Sequence, residues 1–481
     1  MKKHLRYSGL IASLLLLAGC GLLQTDYQQP QVNMPGQWTQ QAPGVTETGV
    51  TKASLTGGDI RSMPLNDHWW RNFNDPTLNA LVEKALARNN DLAAATIRVR
   101  QAQLQVGLAE NDLFPVLSAD GSAERTSHLS KPTHTDWSYA ASGNVSYELD
   151  LWGRISSLRD AADWEAQATE EDRESTALTL IGTTVDLYWQ IGFLNERIVL
   201  SEESIAYAQK TFDLVKVQYG AGGVSSLEMK QAEQNLAAQQ AAHTQLIQQR
   251  VEAYNALAIL FDGPPNVIEA NPQSLPKNAL PPVEAGIPAD LLARRPDIKA
   301  AELRLRETLS DADATKLSYL PTISLTGSLG SSSIALTDIM KNPIGALGAG
   351  ITLPFLEINK MLLDIKVSKE EFKAAVVTYR QALYSALGDV ENALSARAQF
   401  AAQGEKLQEA LAAARETERL YELRYRAGAV PLKDWLDSQE SRRAAEVAVA
   451  ENYYNRLVNH VTLYQALGGD TKLPDTLASA Q

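Results

Sequence analysis

Few side chains in this sequence could do chemistry, and their spacing excludes most of it. Among 481 residues there are one Cys and six His. The lone Cys20 rules out an internal disulfide framework and any Cys-based zinc site. His128 and His134 flank Lys131-Pro132 in a stretch that reads as a polar loop, and two such ligands do not make a metal site. Arg295, Pro296 and Asp297 open a helical pattern with no nucleophile or base beside them, so no catalysis is expected. Pro296 suits the first helical position, Asp297 the positive end of the helix, and Arg295 is expected to bond a neighbouring loop. Asp437, with Asp434 three residues earlier on a neighbouring face of the last helical segment, reads as part of a solvated helix face or as an ion pair with Arg442 or Arg443. The formal net charge of −13 argues against a nucleic-acid partner. No enzyme activity, metal or cofactor is expected.

Cys20 sits where a modification is read. Lys2, Lys3 and Arg6 precede an apolar run that ends in Leu17-Ala18-Gly19-Cys20, a secretory signal too short to span a membrane. The site resembles a bacterial lipobox, which makes Cys20 the acylated first residue of the mature chain. Gly21 after it implies sorting to the outer membrane. No later stretch is apolar enough for a transmembrane helix.

The elements that must position everything else are written twice. An offset of 206 residues aligns Arg88 with Arg294, Asp91 with Asp297, Pro115 with Pro321, Gly222 with Gly428 and Gly263 with Gly469. One offset without drift marks a tandem duplication. The layout is a signal peptide at 1–19, a lipidated N-terminal and equatorial region at 20–85, a first repeat at 86–263, an equatorial linker at 264–291, a second repeat at 292–469 and a tail at 470–481.

Each repeat holds one very long helical pattern, 156–218 and 362–424, near 95 Å at about 1.5 Å per residue. Within the second, Leu383, Leu387, Val390 and Leu394 form a coiled-coil seam. Shorter helices are predicted at 86–112 and 226–262. Strands of alternating polarity are predicted at 116–126, 137–149, 322–332 and 343–355. Val145, Ile351 and Leu353 fall on the apolar side, with Ile351 expected near the bilayer midplane, and Ser146 and Thr352 fall on the wet side. An amphipathic sheet packed on soluble helices would show the same pattern.

Four strands leave open edges, which lipid does not tolerate. Two copies give eight strands and a filled interior, whereas three give twelve and a channel. The expected fold is mainly α with a transmembrane β part. In it a homotrimer forms a 12-stranded β-barrel continued by a 12-helix α-barrel.

Several motifs then carry a family resemblance over almost the whole mature chain. Trp69-Trp70 with Phe73, Asp75-Pro76 and Leu78, the stretch Leu149-Asp150-Leu151-Trp152-Gly153-Arg154, and Arg295-Pro296-Asp297-Ile298 followed by Ala301-Glu302 resemble the TolC-like outer-membrane factors of tripartite efflux systems. Leu436-Asp437 with Gln439, and Ala466-Leu467-Gly468-Gly469, fit as well. The lipobox points to the NodT-type lipoprotein branch. Leu320 and Asp470 depart from the family's usual Phe and Gly.

That resemblance implies an exit duct for small toxic compounds, lipid-anchored in the outer membrane with a long periplasmic portion. It implies as partners a periplasmic adaptor and an inner-membrane transporter, of the resistance-nodulation-division type. Tyr219, Gly222, Gly223 and Val224, with Tyr425, Gly428 and Val430, are implied to form periplasmic tips that meet the adaptor. Asp437, with Asp434 beside it, is implied to form a carboxylate ring at the periplasmic gate. A protein-secretion duct and a poreless envelope scaffold are the alternatives.

Overall fold

A computed structural model describes residues 24–38, 68–128, 134–265, 270–277, 294–339 and 341–469, with 280, 281, 283 and 288 between them. The lipobox, the region 39–67 and the tail after 469 lie outside these.

The helices are α1 (Pro76–Arg88), α2 (Asn90–Asn111), α3 (Arg154–Gly220), α4 (Ser226–Ile259), α5 (Pro296–Leu317), α6 (Ile358–Arg426) and α7 (Leu432–Ala466). The strands are β1 (Val116–His128), β2 (His134–Leu149), β3 (Thr322–Ser333) and β4 (Pro343–Thr352). Asn90 and Pro296 begin corresponding helices, as do Ser226 and Leu432, so the elements recur at the offset of 206. Along the long helices, Tyr379, Leu383, Ala386 and Val390 of α6 are fully buried, as is Ala168 of α3.

Three sequence expectations change. The helix expected at 86–112 is two helices, broken at Asn89, whose extended backbone (ψ 130°) cannot continue the helix. Pro354 starts a short 3-10 turn, so β4 stops at Thr352 rather than 355, and Leu353 and Phe355 leave the strand. His128 and His134 close the β1–β2 ladder as its last backbone pair instead of lying in a loop.

The chain divides into two compact units. One comprises residues up to Val32, Thr96–Glu171 and Lys299–Ala382, and holds the whole sheet. The sheet is antiparallel in the order β1-β2-β3-β4. Its register runs Leu117–Val145–Gly327–Leu347 across all four strands. The other unit comprises Asn33–Ala95, Asp172–Ile298 and residues from Leu383 onward, and holds both hairpin turns between long and short helices.

Candidate functional site

Register gives the sheet two unlike faces. Partnered residues point the same way, so Leu117, Val145 and Leu347 share a face with Ile323, Leu325, Leu329 and Ile351. Leu347 is 93% exposed within the single chain. The opposite face carries Ser118, Ser142, Asn144, Ser146, Ser324, Thr326 and Ser328, with the carboxylates Asp120, Glu124, Asp136 and Glu148. Asn144 donates its side-chain amide to Asp120 at 3.0 Å, and Arg154 pairs with Glu148 at 2.8 Å. Glu124 and Asp136 were not singled out from the sequence, although alternation continued outward from Asp120 would have found Glu124. Ile351 occupies the last rung but one of β4, so the central apolar residue is Leu347 and not Ile351.

The strands enter the helices through a fixed corner. Asp150 accepts from the backbone N–H groups of Ile155 (3.0 Å) and Ser156 (2.8 Å), capping α3. Gly153 takes φ +80°, which the turn requires, and Trp152 Nε1 donates to the Pro321 carbonyl at 2.7 Å. On the same unit the N-terminal segment is strapped down. Thr25 donates twice to the buried Asp313, Tyr27 lies under the Arg306 guanidinium at 4.4 Å, and Gln29 donates to Tyr379 at 3.2 Å.

Both hairpin turns close by one hydrogen-bond pattern. Gly223 N–H donates to Gln218 O and Ala429 N–H to Arg424 O (2.8 and 2.9 Å), while Gly222 and Gly428 donate to Tyr219 O and Tyr425 O. Gly222 and Gly428 sit at φ +74° and +72°, the left-handed end of a helix that glycine tolerates. Ser225 and Glu228 form a capping box on α4, and the hydrogen bond from Ser225 holds the Glu228 carboxyl below its ordinary range. Val215, Ala232, Tyr425, Leu432 and Trp435 make a small core, with Val224 and Val430 packed on it.

The two turn tyrosines therefore differ. Tyr425 stacks on Trp435 (5.1 Å, 27°), donates to Gln218 at 2.7 Å and is buried, so within the chain it is core rather than a contact surface. Tyr219 stays 47% exposed.

Asp437 lies in the second turn of α7, exposed, and pairs with Lys433 one turn before it. Neither arginine considered from the sequence is its partner. Arg442 pairs with Glu418 and Glu446, and Arg443 with Glu440. Asp434 stands in the first turn, half-buried.

Three motifs far apart in sequence converge on one knot. Arg295 forks Asp297 (3.0 and 2.8 Å) and directs Nη1 to Asp389 and to the Ala466 carbonyl, both at 3.2 Å. It thus ties helix ends and α6, not a loop. Gly468, at φ +77°, has no room for a Cβ, which would meet the Arg294 backbone at 2.8 Å. A Cβ on Gly469 would meet Trp69 at 2.9 Å, and Trp69 is stacked on Tyr464 at 4.8 Å. The first repeat holds the same place with Asn89, which caps α2 and donates to the Leu260 carbonyl at 3.1 Å. A cavity of about 620 Å³ beside Arg295 is lined by Asp389, Asn392, Asn459 and Thr462. Among the described residues no three His, Cys, Asp or Glu side chains gather as metal ligands.

With this geometry in place, the comparisons decide the family. The outer membrane efflux protein family model matches residues 81–261 and 287–469, once per repeat. The chain belongs to that family. The pyoverdine export outer membrane protein OpmQ of Pseudomonas aeruginosa is 31% identical over 96% of each chain. The probable outer membrane lipoprotein SilC of Salmonella typhimurium is 27% identical over 95% of this chain and 97% of its own. The open state of the Neisseria gonorrhoeae MtrE outer membrane channel superposes with a TM-score of 0.77 at 29% identity, covering 93% of this chain and 98% of MtrE. The protein is an outer-membrane efflux component.

Proposed function

We propose that three copies assemble into a lipid-anchored duct with a 12-stranded barrel and twelve helical rods. The observation that carries this is the two-faced sheet with unpaired edges. Among the described residues β1 pairs only with β2 and β4 only with β3. An apolar face needs lipid, a Ser- and Asp-lined face needs water, and the open edges need each other. Twelve strands are the smallest closure by whole copies that leaves a lumen.

In this reading Leu117, Val145 and Leu347 face acyl chains. Asp120, Glu124, Asp136 and Glu148 face the lumen, and their field favours cations. Cys20 carries the lipid. The duct conducts small toxic compounds passively, without a catalytic step, from an inner-membrane transporter of the resistance-nodulation-division type through a periplasmic adaptor. Tyr219, Gly222, Gly223, Val224, Gly428 and Val430 form the adaptor-facing tips, with Tyr425 as their internal support. Asp437 and Asp434 ring the periplasmic gate. Each Asp437 works against its own Lys433, so the ring's field is weaker than a bare carboxylate ring would give.

Planar-bilayer recording of the purified trimer tests the reading. Discrete, cation-preferring conductance steps are expected. A protein that inserts yet never conducts would overturn it and favour a scaffold.

A further inference from the structure

The four strands contain a single Arg or Lys, and it stands on the wrong face. Arg125 shares its face with Leu117, Ala119, Gly121 and Ala123, and pairs across the ladder with Trp137. Every other described position on that face is uncharged, while all the strand carboxylates lie on the other. A charge on a lipid-facing surface is costly unless it reaches a polar layer.

Its position answers that cost. Arg125 is eight residues beyond Leu117, about 26 Å along the strand and about 20 Å along the bilayer normal for a strand tilted about 40°. From the Leu117–Leu347 row inside an apolar band about 25 Å tall, that carries it to the far edge or beyond, at the end away from the helices. Trp137 stands at the same level and Tyr139 two residues nearer the helices, opposite Ala123. Trp137 and Tyr139 stack with nearly parallel rings (6.0 Å, 5°), and the Arg125 guanidinium lies over the Trp137 ring at 5.7 Å. Trp137 keeps 46% of its surface exposed.

We propose that Arg125, Trp137 and Tyr139 form a docking surface for the phosphorylated sugar headgroup of the outer-leaflet glycolipid, one per protomer. A guanidinium held over the Trp137 ring still carries N–H donors that can fork a phosphate, which a point charge does less well. The aromatic stack beside it, with Trp137 about half exposed, offers apolar ring surface that a sugar ring covers, at the depth where aromatic side chains settle. A diacyl phosphodiester would satisfy the charge but leave the exposed aromatic surface uncovered, so the sugar phosphate is the better fit. The proposal rests on the outer-membrane barrel reading above.

The test uses delipidated trimer in detergent and native mass spectrometry. The probes are bisphosphorylated lipid A, its dephosphorylated form and phosphatidylglycerol. Up to three lipid A molecules per trimer are expected, with both other lipids bound at least about tenfold more weakly. Arg125→Gln should weaken lipid A about tenfold or more, Trp137→Ala by a smaller factor, and Arg125→Lys should fall between wild type and Arg125→Gln. Heat-resistant trimer and wild-type conductance in each variant show that the barrel is intact. Equal lipid A binding by wild type and Arg125→Gln, or equal binding of the dephosphorylated form or of phosphatidylglycerol, overturns the proposal. Failure of the barrel reading would show separately, as absence of conductance in the wild type.

Discussion

Leu347→Lys tests the face assignment at its most sensitive point. Leu347 lies midway along β4, in the row that contains Gly327 and Val145. Gly327 has no room for a Cβ, which would meet Val145 at 2.9 Å and Leu347 at 3.2 Å, so these two side chains close over the glycine. A lysine at this depth has about 13 Å of strand on one side and about 17 Å on the other before β4 ends, at about 3.3 Å per residue, farther than its side chain can snorkel. The expected cost is about 2–4 kcal/mol per protomer, a factor of roughly 30 to 1000 in the folding equilibrium. Ala346→Lys, one residue away on the polar face beside Ser328, should cost under about 1 kcal/mol. Ile351→Lys, one rung from the strand end, should also cost about 0–1 kcal/mol, because the ammonium reaches the interface. Urea titration of insertion into vesicles, with the heat-resistant trimer fraction as a second readout, ranks the three. Equal costs at 346 and 347, or a greater cost at 351 than at 347, would refute the assignment.

Four further outcomes follow from the same structure. Arg295→Lys keeps the charge but cannot hold Asp297, Asp389 and the Ala466 carbonyl together; since both carboxylates are about half exposed and can rehydrate, the loss should be about 1–3 kcal/mol, read as a lower thermal midpoint. Lys433→Met leaves Asp437 unpaired and should raise cation selectivity in reversal-potential measurements, whereas Asp437→Ala should lower it; no change in either removes the pair from the conduction path. Burial pushes the Asp186 carboxyl up to about 7 from its ordinary 3.8, so the folded chain holds a proton that the unfolded chain has lost, and stability on the order of 4 kcal/mol disappears as pH rises from about 4 to 7; Asp186→Asn should gain on the wild type across that window. Cys20→Ala should abolish N-terminal acylation, seen as the missing mass of the acyl chains on the mature protein; an unmodified wild-type Cys20 would sink the anchor.

What the sequence disclosed and withheld has a physical pattern. Strand faces were legible because alternation has a period of two and each residue reports its own side. The helix break at Asn89 was not, because Asn89-Asn90 contains neither Pro nor Gly, and the break is held by a bond to the Leu260 carbonyl far along the chain. The Lys433 partner of Asp437 was legible from one-turn spacing alone, whereas Arg442 and Arg443, five and six residues on, fall outside the i,i+3 and i,i+4 reach of a helical pair. The meeting of Trp69, Arg295 and Gly468-Gly469 could not be read, since nothing in their spacing says that a ring, a guanidinium and two missing Cβ atoms share one space. The different fates of Tyr219 and Tyr425 depend on Trp435, whose counterpart in the first repeat is Met229.

That last difference extends along the whole second hairpin. Glu418 with Arg442, and Arg415 with Glu446, join α6 to α7, with Glu418 almost fully buried and Tyr207 of α3 donating to Glu422 at 3.4 Å. The matching residues of the first hairpin are Phe212 with Leu236, and Gln209 with Gln240, which cannot ion-pair. The turns themselves are alike in hydrogen bonds and in φ, so the copies share how the chain reverses and differ in what binds the two arms. An apolar seam resists separation in proportion to buried area and tolerates sliding. A seam with a buried ion pair has a fixed register, because breaking it strands a charge at a cost of several kcal/mol. The carboxylates assigned to the gate lie on the arm whose register is fixed in this way, so a motion that displaces Asp437 has to carry α6 and α7 together.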